Sequence, residues 1–322
     1  MLYTVSKGGQ YPTIAAALAA VGPNGAGHIV EVTAGTYVEQ IDSNTATFPM
    51  GASWPGPFTL RAKAGDVVKI ANSGELNLRL FSNQPFYSII TGFVFDAANL
   101  AVESSQVKLG SSTNGGSYVR LVGNEFVNNI RTHALFIGGF TRFSEVLVNR
   151  FHGGQFFAPG GGAGGMCYPI YVSGSDNTIN DNELWDFPYY GVHVYNGSTP
   201  YPSRNTVSNN RIHDYGQGAS GMNGILVYNG DGNQILTNAL WNGPAAPIGI
   251  GPSASNTLSA GNTYVPPSGG TQPPIPIPPE PAPTVNFVDV HTDRVVTIAS
   301  NKKQITIVID AATNILVNGA PR

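Results

Sequence analysis

Carboxylates, histidines and arginines recur in this chain beside aromatic rings. Asp186 and Asp214 lie 28 residues apart, and each directly follows a ring, Trp185 or His213. Two carboxyls of separated proton affinity can perform acid–base work on a sugar. Stacked one coil apart in a repeat, they would lie about 4.8 Å from each other. Facing each other in a groove, such a pair suits glycoside hydrolysis. With His213 or Tyr190 as base and Arg211 neutralising a carboxylate, β-elimination or epimerisation of a uronate becomes the alternative. The candidate catalytic set is therefore Asp186, Asp214, His213, Arg211, His193 and Tyr190. Flat rings stack on sugar faces, and arginine pairs with carboxylates. Tyr171, Trp185, Tyr189, Tyr195, Tyr215, Tyr228 and Arg150 are the expected substrate contacts. A plainer explanation competes: Asp and Asn after a strand are common turn formers, and outward rings often do no more than cover a solenoid.

These residues sit in a repeat. An apolar residue, two small ones, Asn, any residue and a large apolar residue return in order. The copies are Leu121-Val-Gly-Asn124-Glu-Phe126, Val146-Leu-Val-Asn149-Arg-Phe151, Ile179-Asn-Asp-Asn182-Glu-Leu184, Val207-Ser-Asn-Asn210-Arg-Ile212 and Ile235-Leu-Thr-Asn238-Ala-Leu240, with a looser one at Asn262. Their asparagines are 25, 33, 28, 28 and 24 residues apart. A second track reads Ala134-Leu-Phe-Ile137, Pro169-Ile-Tyr-Val172, Gly191-Val-His-Val194, Gly224-Ile-Leu-Val227 and Pro247-Ile-Gly-Ile250. A third opens most turns: Asn177-Thr-Ile, Asn205-Thr-Val, Asn233-Gln-Ile and Asn256-Thr-Leu. Each track is a short alternating strand. Strands this short, with no hairpin turns, cannot pair within one repeat, but they can pair with their equivalents above and below. The prediction is an all-β fold, a right-handed parallel β-helix. It would bury Leu121, Val146, Ile179, Val207 and Ile235 in one column, and Phe126, Phe151, Leu184, Ile212 and Leu240 in another. The recurring Asn would take the left-handed turn position and bond along the stack. A leucine-rich repeat lacks support, because its leucine frame and helices are missing.

Thr13–Val21 is the one convincing helix and is expected to cap the N-terminal end, since bare strand edges invite pairing with other chains. His28–Tyr37, Phe58–Arg61 and Val67–Ile70 extend the stack, and Ile90 and Phe95 supply an earlier copy. The solenoid is expected over 1–265 and a Pro-rich linker over 266–284, stiff and extended. A small C-terminal β module would follow over 285–322, with strands at Asn286–Val290, Arg294–Ala299, Gln304–Asp310 and Asn314–Val317. A module this short is marginal alone, so assembly through it, as a homo-trimer or another oligomer, is expected.

Only 11% of the residues are charged and the net charge is −3, which leaves no basic field for nucleic acid. No stretch reaches the ~20 apolar residues of a membrane span. The single cysteine, Cys167, excludes an intrachain disulfide framework. No secretion signal is visible at Met1-Leu2-Tyr3-Thr4. That is consistent with a leader removed beforehand, an intracellular protein, or release as a virion part; an extracellular or virion-associated location is expected.

The chain resembles the pectin-lyase-like superfamily over roughly residues 1–265. The likeness is carried by Tyr3-Thr-Val-Ser-Lys-Gly-Gly with Tyr11-Pro-Thr-Ile-Ala-Ala-Ala-Leu and Val32-Thr-Ala-Gly-Thr-Tyr37, by Gly51–Asp66, and by the repeat itself. The resemblance implies a binding groove along parallel strands walled by loops, one of them Gly153–Gly165 with Phe156 and Phe157. It implies polysaccharide as partner, whether for a lyase, hydrolase or epimerase, or for a non-catalytic virion or adhesive protein such as a tailspike; a pure carbohydrate-binding module is a further option. Fold alone does not choose. No cofactor is expected, and calcium has no clear acid cluster of the pectate lyase kind. The central turns contain no lysine, so a Lys/Arg pair like that of chondroitinase-B-like lyases has no obvious place there.

Overall fold

A computed structural model describes residues 1–101, 105–129, 133–154, 167–217 and 221–265, and the backbone of 295–300 and 303–308. The chain divides into two units, Met1–Ile277 and Pro278–Arg322. In the first, three parallel sheets wind as a β-helix. A ten-stranded sheet runs from Leu2–Val5 to Leu258–Ala260. A second sheet of eight strands runs from Gly35–Tyr37 to Ala239–Trp241. A third, also of eight, runs from Ile41–Asp42 to Ile248–Ser255. A complete coil gives one strand to each sheet, so every strand inside the stack bonds to the coils before and after it.

The two predicted columns are in register. Leu121 pairs with Val146, then Ile179, Val207 and Ile235 follow in the first sheet. Phe126, Phe151, Leu184, Ile212 and Leu240 do the same in the second. All ten are buried, and each such side chain contributes about 1.5–3 kcal/mol. Phe126 and Phe151 stack at 4.3 Å. The second track supplies the third sheet, with Leu135, Ile170, Val192, Ile225 and Ile248 aligned.

The asparagines bond along the stack as expected, but they are not the left-handed residues. That conformation belongs to the residue before each of them: Gly123, Val148, Asp181, Asn209, Thr237 and Gly261, with φ between 56° and 67°. The asparagines form a buried ladder. Asn182 Oδ1 accepts from Asn149 N (2.9 Å) and Nδ2 (3.0 Å), and Asn182 Nδ2 donates to the Val146 carbonyl (2.9 Å). Its own N and Nδ2 donate to Asn210 Oδ1, each at 2.9 Å. A second ladder runs through Ser144, Asn177, Asn205 and Asn233, each backbone N–H 3.0 Å from the next Oδ1. The Asn256 copy is displaced by one residue. Asn256 takes the left-handed place (φ 48°), Leu258 pairs with Gln234, and Leu258 is therefore exposed rather than in the column.

The helix Ile14–Val21 packs on Leu2–Val5 and Ile29–Val32 at the N-terminal end. Thr13 Oγ1 accepts from Ala16 N (3.1 Å), and the Glu39 carboxylate takes the N–H groups of Ile14 and Ala15 at 2.9 Å each. A carboxylate at a helix N-terminus is favourable through both hydrogen bonding and the helix dipole. Among the described residues no helix is long and apolar enough to cross a membrane. In the second unit, Val295–Ser300 and Lys303–Val308 pair antiparallel. The expected Pro-rich linker, the outer tail strands, and Phe156 and Phe157 lie outside the described residues.

Asn182→Ala removes the acceptor of two buried N–H groups on Asn149, and the expected loss in urea unfolding is about 2–5 kcal/mol. Val148→Asn, which relieves a β-branched residue at φ 56°, should instead gain about 1 kcal/mol in the same measurement.

Candidate functional site

The thirteen candidate residues fall on two different sheets and the turns beside them. From the second sheet project two neighbouring columns. One reads Glu125, Arg150, Glu183, Arg211. The other reads His152, Trp185, His213, Trp241. From the third sheet project Arg79, Lys108, Phe136, Tyr171, His193 and Leu226, again in register. Alternation along each strand finds these outward positions correctly. It cannot show that the two sets face away from different sheets.

On the second sheet the rings stack on one another. His152 and Trp185 lie 4.3 Å apart at 12°, Trp185 and His213 6.0 Å at 7°, and His213 and Trp241 4.4 Å at 11°. Rings stacked this way present edges to solvent, and their faces are taken by their neighbours. They stabilise the coil stack and leave no inner face for a sugar. The ionic column is likewise self-paired: Arg211 Nη2 lies 3.4 Å from Glu183 Oε1, and the Arg211 guanidinium sits 6.0 Å from the Trp241 ring centre.

His213 is gripped by Asp214 (Nδ1···Oδ2 2.6 Å) and approached by Glu183 (3.7 Å). Burial works against its charge, but hydrogen bonds to Glu183 and Asp214 outweigh it and hold the imidazole above its usual proton affinity. Glu125, bonded to His152 at 2.8 Å, is held below the usual carboxylate range by that bond. Asp186 and Asp214 are one rung apart, as expected. Both occupy a left-handed corner (φ 62° and 51°), in one column with Asn128, Gly153 and Asn242. These are the residue types such a corner selects, so the turn alone accounts for two acids at this interval.

Tyr215 departs from its expected place. It is 1% exposed, and it pairs with Phe187 inside the core, so it has no surface for a substrate. Two bulky residues that end these strands point inward because the left-handed aspartate before each turns the chain.

The third sheet carries the other cluster. His193 packs against Tyr171 (5.0 Å, 81°), Tyr195 (5.5 Å, 8°), Tyr190 (4.9 Å) and Tyr168 (5.2 Å). Tyr189 joins through Tyr168, and Tyr228 stands edge-on to Tyr195. Burial lowers His193 to about 4, and its Nδ1 is buried without a hydrogen-bond partner. His133, bonded through Nδ1 to Ser105 Oγ at 3.0 Å, is lowered by burial to about 3. Burial likewise raises Tyr171 to about 12. At the N-terminal end of the same strip, Lys108 stands beside Arg79, with Glu75 within 3.7 Å of the lysine and 3.2 Å of the arginine. Burial lowers Lys108 from its usual value. The composition of the central turns hid this pair, because it lies one and two coils earlier. Only the register places it in the column of Tyr171 and His193. Arg211, on the other sheet, is not the cation of this strip. Among the described residues no group of three His, Cys, Asp or Glu could hold a metal.

The chain is thus a right-handed parallel β-helix. A family model described as a right handed beta helix region matches residues 168–264. No curated protein sequence matches the chain. Similar solved structures include XylC in complex with xylose, 10% identical with a TM-score of 0.50 over 82% of this chain and 68% of that one. A mannuronic acid specific polysaccharide family 6 lyase from human gut microbiota is 15% identical, TM-score 0.47, over 74% and 59%. The mannuronan C-5 epimerase AlgE4 A-module of Azotobacter vinelandii is 16% identical, TM-score 0.43, over 81% and 84%. The chain spans about three fifths to four fifths of these proteins. Their likeness is one of fold.

A buried neutral histidine binds its proton less well folded than unfolded. Its stabilising effect is complete above about pH 6.5, the unfolded value, and is lost as pH falls towards His193's folded value of about 4. Wild-type protein should therefore lose up to about 3 kcal/mol across that window on account of His193. Denaturant unfolding of His193→Phe at pH 7 and pH 4.5 should show a correspondingly smaller difference.

Proposed function

We propose that the protein binds an acidic polysaccharide along the outward strip of the third sheet, and acts on it there as a lyase, hydrolase or epimerase. The carrying observation is the in-register column Arg79, Lys108, Phe136, Tyr171, His193. Lys108 at one end suits a sugar carboxylate, Arg79 beside it being held by Asp42 and Glu75, and rings along the rest suit sugar faces. From Lys108 to His193 the column spans three rungs, about 14 Å, a length suited to a chain rather than a single sugar. Burial lowers Lys108 from its usual value, the direction that brings an amine towards use as a base, and keeps His193 in its neutral form. The similar folds named above include proteins of xylose and mannuronate chemistry; the present reading rests on the column, not on them. An extracellular setting follows from such a substrate.

A non-catalytic adhesive role, of the tailspike or virion kind, is the second reading. It is favoured by the way His133 and His193 are wedged among tyrosines, which is a packing role as much as a chemical one.

Pectate, alginate, glycosaminoglycans and bacterial capsules should be assayed for binding, for unsaturated uronate absorbance and for new reducing ends. Lys108→Ala and Tyr171→Ala should each weaken binding of the active polymer about tenfold or more. His193→Gln should abolish turnover with binding retained. Binding without turnover in wild type would establish the adhesive reading, and binding indifferent to Lys108→Ala and Tyr171→Ala would overturn the site.

A further inference from the structure

A separate strip runs along the corners that lead from the third sheet into the first. From Tyr87 onward, one residue there in each coil has positive φ. In three successive coils it is aromatic: Tyr87 (42°), Tyr118 (60°) and Phe143 (55°). Bulky side chains rarely adopt this conformation. Later coils of the same column use Asp176 (60°), Arg204 (55°), Gly232 and Asn256, and all but the arginine are types that take it with little strain. The corner itself therefore does not call for rings, and persistent strain of this kind points to a role beyond the turn. The rings form a surface line. Trp54 meets Tyr87 at 5.6 Å, Tyr87 meets Tyr118 at 4.7 Å and 38°, and Tyr118 meets Phe143 at 5.2 Å and 35°. They are tilted rather than stacked flat, and Phe143 is 47% exposed.

One coil beyond Phe143 the column becomes ionic. Asp176 is shared by two guanidiniums: Arg142 Nη1 at 2.7 Å, and Arg204 Nε at 2.6 Å with Nη2 at 2.8 Å. Among the described residues, Arg142 Nε and Nη2 and Arg204 Nη1 have no protein acceptor. A cleft of about 360 Å³ opens at this point, lined by both arginines, Tyr201, Ser175, Ser253 and Ser255. Asp231 on its wall is already engaged by Ser255 Oγ and Asn256 Nδ2, at 2.8 Å each.

We propose that this corner strip is a second saccharide site, for a uronate-bearing oligosaccharide. A sugar ring lies on Phe143 and Tyr118, and a carboxylate takes the spare N–H groups of Arg142 and Arg204 in the cleft, with the Ser253 hydroxyl for one of the sugar's own. The distance from Phe143 to Arg204 is two rungs, about 10 Å. The strip shares a class of ligand with the third-sheet groove and no residue, so either can fail without the other.

The test is calorimetric titration of the full chain with uronate trisaccharides (galacturonate, mannuronate, guluronate and glucuronate), and with maltotriose as neutral control. Each is repeated on Phe143→Asn, Arg204→Gln and the groove variant Tyr171→Ala. At least one uronate trisaccharide should bind, and maltotriose should bind at least tenfold more weakly. Phe143→Asn and Arg204→Gln should each cost that uronate tenfold or more in affinity at the site that Tyr171→Ala leaves intact. Phe143→Asn should meanwhile melt at or above the wild-type temperature, because asparagine suits the left-handed corner; a purely structural ring would lower it. Affinity unchanged in both corner variants, or no uronate site that survives Tyr171→Ala, would overturn the proposal.

Discussion

A coil of three short parallel strands cannot satisfy its own backbone. Every strand N–H and carbonyl must be met by the coil above or below, and at a tight buried corner the peptide groups have no strand partner. Asparagine resolves this, because its side chain carries both an acceptor and a donor of peptide geometry. Asn182 accepts from Asn149 and donates to Val146, and is itself tied to Asn210. Each corner then closes on the next, and the ladder sets the vertical register of all three sheets. A buried ladder of this kind is costly to leave half made, so its members recur together.

Fixed register has a functional consequence. Equivalent positions of successive coils become neighbours about 4.8 Å apart, so side chains on this molecule act as columns. A column can be closed on itself or open to a ligand. His152, Trp185, His213 and Trp241 use their faces on one another. Glu125, Arg150, Glu183 and Arg211 alternate in sign and use their charges the same way. On the third sheet the column is graded instead, from Arg79 and Lys108 to tyrosines and His193. The same burial that packs the tyrosines keeps His193 neutral to about pH 4. Its neutrality and its packing therefore come from one cause.

The repeat of apolar residue, Asn and apolar residue determined the fold from sequence alone, because a parallel stack needs the same residue type at the same place in every coil. The buried columns of Leu121 and Phe126 and the outward positions of Tyr171, His193, Trp185 and His213 were legible in that period, and the N-terminal helix in its own alanine-rich run. What decided the site was not periodic. Whether two columns share a face depends on which of three sheets each belongs to, and on corners whose bend is set by one left-handed residue. That bend puts Tyr215 inside, accounts for Asp186 and Asp214 as corner residues, and shifts Asn256 by one place. It also brings Lys108 and Arg79 into the column of His193 although 85 and 114 residues separate them from it in sequence. Sequence carries the vertical order of the coils, through hydrogen bonds that demand like above like; only the tertiary winding decides which columns meet a common solvent face, because that is a matter of angles between sheets.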